Sequence, residues 1–227
     1  LSAYREAQKI VHPLTPQVLD ALEMAVSYSI ENVPKLEGTT LIASDVSGSM
    51  ETSISKNSTI QKWDIGIVLG MMAHRFCQQS ITGIFGTEWK AVSLAKYSTG
   101  LLANSMKLRS ISNEVGWSTN GYKVIEYLID SNLQVDRIMI FTDCQMWDSS
   151  LYSDKTFAET FVKYQRKYPN VKLYCFDLSG YGNIMIPQNT KNVCLIGGWS
   201  DKVFDFVKAF EEIRQNTVLK EIKAIKP

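Results

Sequence analysis

Apolar residues along this chain fall into two patterns, short continuous runs and helical spacing. Short apolar runs at 39–44 (TTLIAS), 81–85, 91–94, 137–142 (RIMIFT), 172–177 and 192–196 read as strands. Between them, at 60–78, 101–111, 121–130, 155–168 and 202–214, apolar residues fall three and four apart, the spacing of one helix face. This alternation predicts an α/β fold of three layers, with a mostly parallel central sheet and helices on both sides. The run 91–94 follows 81–85 closely, which suits one short antiparallel edge strand.

Ahead of the first strand, residues 16–30 place Val18, Leu19, Leu22, Val26 and Ile30 at helical spacing. Thr15 suits the N-cap and Pro16 the first helical position. The stretch 32–38 (NVPKLEG) reads as a linker. The preceding helix is then either the tail of another module or a helix docked on the main domain. The expected division is a helical lead-in at 1–37, the main domain at 38–215 and a basic tail at 216–227. That tail carries Lys220, Lys223 and Lys226, which read as a solvated terminus or as a weak contact to phosphates.

Composition narrows the class. With 227 residues and a formal net charge of +1, no global field draws the chain to nucleic acid or acidic membranes. No apolar run reaches the roughly 18 residues that span a bilayer. The start, LSAYREAQKI, lacks a signal peptide's apolar stretch and an initiator Met, as expected of a piece cut from a longer protein. Cys77, Cys144, Cys175 and Cys194 form no C-x-x-C pair. They read as core thiols in a reducing compartment, which points to the cytoplasm.

The chemistry concentrates at strand ends. The segment DVSGSM, residues 45–50, follows the first strand and sets Asp45, Ser47 and Ser49 at i, i+2 and i+4. Gly48 lets the backbone turn sharply between them. One carboxylate and two hydroxyls suit a hard divalent cation, with Mg²⁺ as the default and Mn²⁺ or Ca²⁺ also accepted. Asp143 ends the run RIMIFT in the same way. Thr119 stands in GWSTNG, residues 116–121, just before a helical pattern. Ligands of open α/β sheets bind beyond the carboxyl ends of strands near a switch in strand order, so these distant pieces are expected to converge. Turns and helix caps also favour Ser, Asp and Gly, but three separated elements agree here. Asp177, in CFDLSGYG, reads as a turn former beside the site sooner than as a third acidic ligand, and His74 as a packed or snorkelling histidine.

Hydrolytic chemistry fits poorly. A haloacid-dehalogenase-like phosphatase needs a second Asp two residues after the first as general acid/base, and that place is held by Ser47. There is no G-x-S-x-G, P-loop or G-x-G-x-x-G, and neither His12 nor His74 has an evident nucleophile partner.

Strand–Asp-x-Ser-x-Ser, a loop Thr, and strand–Thr-Asp together resemble the metal-ion-dependent adhesion site of von Willebrand factor A domains. The resemblance implies the Rossmann-like A-domain fold and a metal held by Asp45, Ser47, Ser49, Thr119 and Asp143. It implies Ser47 and Ser49 as direct ligands, and one coordination position open to a carboxylate from a protein partner. Trp117 and Ser118 stand where many members carry small residues. Trp117 is either a partner anchor or packs on Trp147 or the sheet edge; Trp147 should share the rim. The lead-in ALEMAVSYSIENVPKLEGTTLIASDVSGSM and the stretches FTDCQMWDSS, YQRKYPNVKLYCFDLSGYGNIMIPQ and NVCLIGGWSDKVFDFVKAF are similar to Ro ribonucleoproteins. In that family a ring of helical repeats, the TROVE module, passes directly into an A domain. This implies a non-enzymatic module of a protein that binds small noncoding RNA, mainly through the absent ring, in RNA quality control. The competing reading is an A domain for protein assembly without an RNA role.

Overall fold

The computed structural model describes residues 1–31, 33, 35–94, 100–145, 156–182, 185–187, 190–200 and 202–214. Two helices, α1 (Ser2–Gln8) and α2 (Thr15–Ser29), precede the first strand, β1 (Leu36–Asp45). There follow α3 (Lys62–Phe76), β2 (Cys77–Phe85), β3 (Trp89–Ala91), α4 (Leu101–Ser110), α5 (Tyr122–Asp130), β4 (Arg137–Thr142), α6 (Phe157–Lys167), β5 (Lys172–Asp177), β6 (Val193–Gly197) and α7 (Lys202–Arg214). Short 3-10 turns at Gly48–Glu51 and Ser112–Glu114 shape two of the loops.

The strand order is β3-β2-β1-β4-β5-β6. Only β3 runs antiparallel, pairing Gly83 with Ala91 and Phe85 with Trp89. The chain winds outward from β1 through β2 in one direction and from β4 in the other, so the switch in strand order lies between β1 and β4. A crevice opens at the carboxyl ends of strands at such a point.

Strand alternation sends side chains to two cores. Ile42, Met139, Phe141, Tyr174 and Phe176 face α3, α4 and α7, where Ile67, Met71, Phe76 and Phe204 meet them. Leu41, Ala43, Ile138, Ile140 and Leu173 face α5 and α6, packing with Val124, Leu128, Phe161 and Tyr164. The expected three layers are present, and β4, β5 and α7 occupy the predicted residues. The edge strand is displaced from 91–94 to Trp89–Ala91, because residues 86–88 alone make the turn. The predicted helix 60–78 is cut at both ends. It starts at Lys62, where Gln61 donates its backbone N–H to Asp64 Oδ2 at 2.9 Å. It stops at Phe76 because Cys77 pairs with Leu36 as the start of β2.

The short helix α1, within the span 1–37 of the expected helical lead-in, carries no long apolar period of its own. Tyr4 and Ala7 on it are nevertheless buried. Helix α2 turns Leu19, Leu22 and Val26 toward the core while Val18 and Tyr28 stay exposed. Glu23 on α2 accepts the backbone N–H groups of Leu102 (3.0 Å) and Ala103 (2.7 Å), satisfying donors at the start of α4. Both leading helices are therefore docked on the sheet domain. Cys77, Cys144 and Cys175 are buried thiols and Cys194 is half-buried. No helix among the described residues is long and apolar enough to cross a membrane. The tail lysines lie outside the described residues.

Candidate metal centre

Asp45 is the last residue of β1 and is fully buried. Its Oδ1 accepts the backbone N–H of Ser47 at 2.8 Å, and its Oδ2 accepts the Thr142 hydroxyl at 2.6 Å. The second bond crosses the switch point from β4 to β1. Asp143, the residue after Thr142, is also fully buried. Its Oδ1 accepts the N–H of Gln145 at 3.1 Å, while its Oδ2 is buried without a hydrogen-bond partner among the described residues.

Ser47 and Ser49 come from the turn after β1. Their hydroxyl oxygens lie 3.3 Å apart. The turn is pinned from outside: Val46 N–H donates to Phe85 O at 2.9 Å, and Gly48 N–H donates to Trp117 O at 2.9 Å. The second of these draws the loop of Thr119 to the strand end. That loop is tied further by Asn120, whose backbone N–H donates to Gly86 O (2.9 Å) and whose amide donates to Thr87 O (3.0 Å). Thr119 sits half-buried between Trp117 and Asn120. Asp45, Ser47, Ser49 and Asp143 thus gather at one place, with the Thr119 loop bonded to it.

Electrostatics favour a cation here. Burial pushes the Asp45 carboxyl up to about 6; the bonds from Thr142 and Ser47 oppose this, and the nearby Asp143 charge adds to it. Two carboxylates removed from water and close enough to repel each other are costly without a counter-charge. No group of three or more His, Cys, Asp or Glu among the described residues could hold a metal. The donors at this site are therefore two carboxylates and hydroxyls, all oxygen, which is hard-cation chemistry. The orphaned Asp143 Oδ2 and the paired serine hydroxyls fit such an ion.

Asp177, one strand further along, is a turn former. Its carboxylate accepts N–H groups from Ser179 (3.0 Å), Gly180 (2.9 Å) and Gly182 (2.8 Å). His74 is buried with Nδ1 against the Ser80 hydroxyl at 2.8 Å. Trp117 is half-exposed and packs against Trp63, ring centroids 6.3 Å apart. Trp147 lies outside the described residues.

Sequence reasoning missed the support behind this loop. Asp64, in the first turn of α3, is buried and receives both Arg5 from α1 and Arg109 from α4. The readable signal was an acid at the i position of the apolar face that continues through Ile67 and Met71. Thr142 stood in the strand–Thr-Asp element without a role; it bonds Asp45 directly.

An open doubly wound sheet with Asp-x-Ser-x-Ser at its switch point, a threonine loop and a second strand-end Asp defines a von Willebrand factor A domain. The sequence matches the Ro60 vWA domain family over residues 39–211, and the chain belongs to that family. The crystal structure of the Ro protein (RSR) of Deinococcus radiodurans is similar in fold, with a TM-score of 0.63 at 20% identity. The likeness covers 82% of this chain and 36% of that one, so this chain spans about a third of that protein's length. No curated protein matches the sequence.

Proposed function

We propose that this chain is a metal-dependent, non-enzymatic interaction module of a Ro-like cytoplasmic protein. Asp45, Ser47, Ser49, Thr119 and Asp143 would hold Mg²⁺ or Mn²⁺. A bound ion would supply a Lewis-acidic point for an acidic side chain of a protein partner. The observation that carries this reading is the orphaned buried oxygen of Asp143 beside the buried Asp45 carboxylate. A buried acceptor without a donor is rare in folded proteins and calls for an explanation.

The protein's own groups set up that task. Thr142 and the Ser47 N–H fix the Asp45 carboxylate in one orientation. The Trp117–Gly48 bond holds the threonine loop against the serine turn. We further place the protein in noncoding-RNA binding and quality control, with RNA capture in a helical-repeat module, as the Ro resemblance implies. The near-neutral charge of this chain supports that division, because phosphate binding draws on basic surfaces.

Titration calorimetry of the chain with MnCl₂ tests the metal reading. Asp45→Ala is expected to abolish binding, and unchanged binding would remove the proposal. Tight, salt-sensitive binding of structured RNA by this chain alone would overturn the assignment of RNA capture to another module.

A further inference from the structure

We infer that Arg5, on the first helix, is a positioning residue for the metal-binding turn, acting through Asp64, Gln61 and Trp63. The inference rests on the metal reading above and assigns α1 a part in it.

The chain of contacts starts at Asp64. Its carboxylate is out of solvent, whereas Arg5 and Arg109 remain partly accessible. Arg5 forks onto both Asp64 oxygens, with Nη1 donating to Oδ2 at 2.8 Å and Nη2 to Oδ1. Arg109 donates to the same Oδ1 through Nη1 and to Gln61 Oε1 through Nη2, at 2.7 Å. Two guanidinium groups from two helices thus neutralise one buried carboxylate at the N-terminus of α3. With Arg5 gone, the carboxylate keeps one guanidinium, Arg109 on Oδ1, and the Gln61 backbone N–H on Oδ2.

From this cluster two routes lead to the metal-binding turn. The first runs through Gln61. Its Oε1 accepts from Arg109 and from Trp63 Nε1 (2.6 Å), and its Nε2 donates to Glu51 O at 2.6 Å. Glu51 closes the 3-10 turn Gly48–Glu51 that carries Ser49. The second route runs through Trp63. Arg109 lies over its ring at 4.7 Å from the centroid, and the same ring packs on Trp117. The carbonyl of Trp117 accepts the N–H of Gly48. Both routes end within two residues of a serine ligand, and both depend on where Arg109 sits. Arg109 in turn shares Asp64 with Arg5.

Helix α1 has the properties of an element that can dock or detach. It is seven residues long, below the length at which helices are stable alone, and Tyr4, Ala7 and the Arg5 fork hold it. If docked α1 favours the metal-ready turn, linkage requires that metal favour docked α1 to the same degree.

Two measurements on the full chain test this. In MnCl₂ titrations of folded protein at low temperature, Arg5→Ala is expected to weaken affinity about fivefold or more. Arg5→Lys should fall between, since one ammonium replaces a two-pronged fork. Lys9→Ala, at the C-cap of the same helix and in an exposed pair with Glu6, should bind Mn²⁺ as the unaltered chain does. In hydrogen exchange, Mn²⁺ should slow the amides of α1 in the unaltered chain and leave them unchanged in Asp45→Ala. A lower melting temperature for Arg5→Ala with unchanged Mn²⁺ affinity would show a merely structural tie and overturn the inference, leaving the metal reading standing. Absence of Mn²⁺ binding by the unaltered chain would overturn both. Should Arg5→Ala not fold, α1 exchange that ignores Mn²⁺ overturns the inference by itself.

Discussion

At Gly86 the end of β2 meets the threonine loop so closely that a Cβ would overlap the carbonyl group of Gly116. Gly86 O also accepts the N–H of Asn120, next to Thr119. A methyl here must push the loop away from the serine turn. Gly86→Ala is therefore expected to cost about 1–3 kcal/mol of stability and to weaken Mn²⁺ binding, read by urea denaturation and calorimetry. Retained affinity would mean that the loop is no part of the site. Residue by residue, the meeting of Asp45, Ser47, Ser49 and Asp143 was legible because oxygen donors follow two strands that flank a switch in strand order. The Trp117–Trp63 contact was not legible: nothing in either local pattern encodes a meeting across 54 positions, and the sequence pointed to a partner anchor or to packing on Trp147 or the sheet edge. Asp64 left a weak trace, an acid on an apolar helix face, that its bond to the Gln61 N–H and its two arginines explain.

Among elements, α7 shows how a helix is fastened to a sheet end. Glu211 accepts from Arg137 Nε (2.8 Å) and Nη2 (3.0 Å), and from the Tyr174 hydroxyl (3.0 Å); Lys172 Nζ lies 2.9 Å away. Arg137 also donates to Glu37 O (2.7 Å) and to the Thr40 hydroxyl (2.9 Å), so one clamp spans α7, β4, β5 and the start of β1. Burial raises the Glu211 carboxyl, but the hydrogen bonds and charges of Arg137 and Lys172 outweigh it and hold the group below its ordinary value. A depressed carboxyl contributes stability that is present above its unfolded pKa, about 4.3. That contribution is lost as pH falls through the folded value. Glu211→Gln should lower stability by about 3 kcal/mol at pH 7, because it leaves a buried guanidinium without its counter-charge. It should also flatten the loss of stability below pH about 4. Urea midpoints at the two pH values check both; an unchanged acid limb would show that Glu211 does not drive it. At this scale β4 and β5 were readable to the residue because each is a short continuous apolar run buried on both faces, and α7 because it keeps helical spacing. The ends of α3 were not, because Cys77 and Gln78 extend the helical spacing while β1 recruits them as strand.

The whole molecule brings two buried acids to the seam between its two halves. Asp45 ends the strand that leads one way, and Asp143 follows the strand that leads the other. A cation bound there should stabilise the native state by mass action, about 2.7 kcal/mol at a hundredfold excess over Kd. For a chain of this size that is roughly 5–10 °C in Tm. Differential scanning calorimetry in MnCl₂ against EDTA should show the shift, and Asp45→Ala should not. An equal shift in both would place the ion elsewhere.

Sequence alone determined the layer architecture and the chemistry of the strand-end loops, since both are local: a short apolar run or a spacing of three to four, and an oxygen donor at a strand's end. Tertiary structure decided which elements surround that chemistry. It set β1 against β4 so that Thr142 reaches Asp45, and it seated α1 on the start of α3 through Arg5 and Asp64. It also laid Trp63 under Trp117. These are meetings of residues dozens of positions apart, fixed by packing and by the need to neutralise a buried charge, and no local pattern carries them.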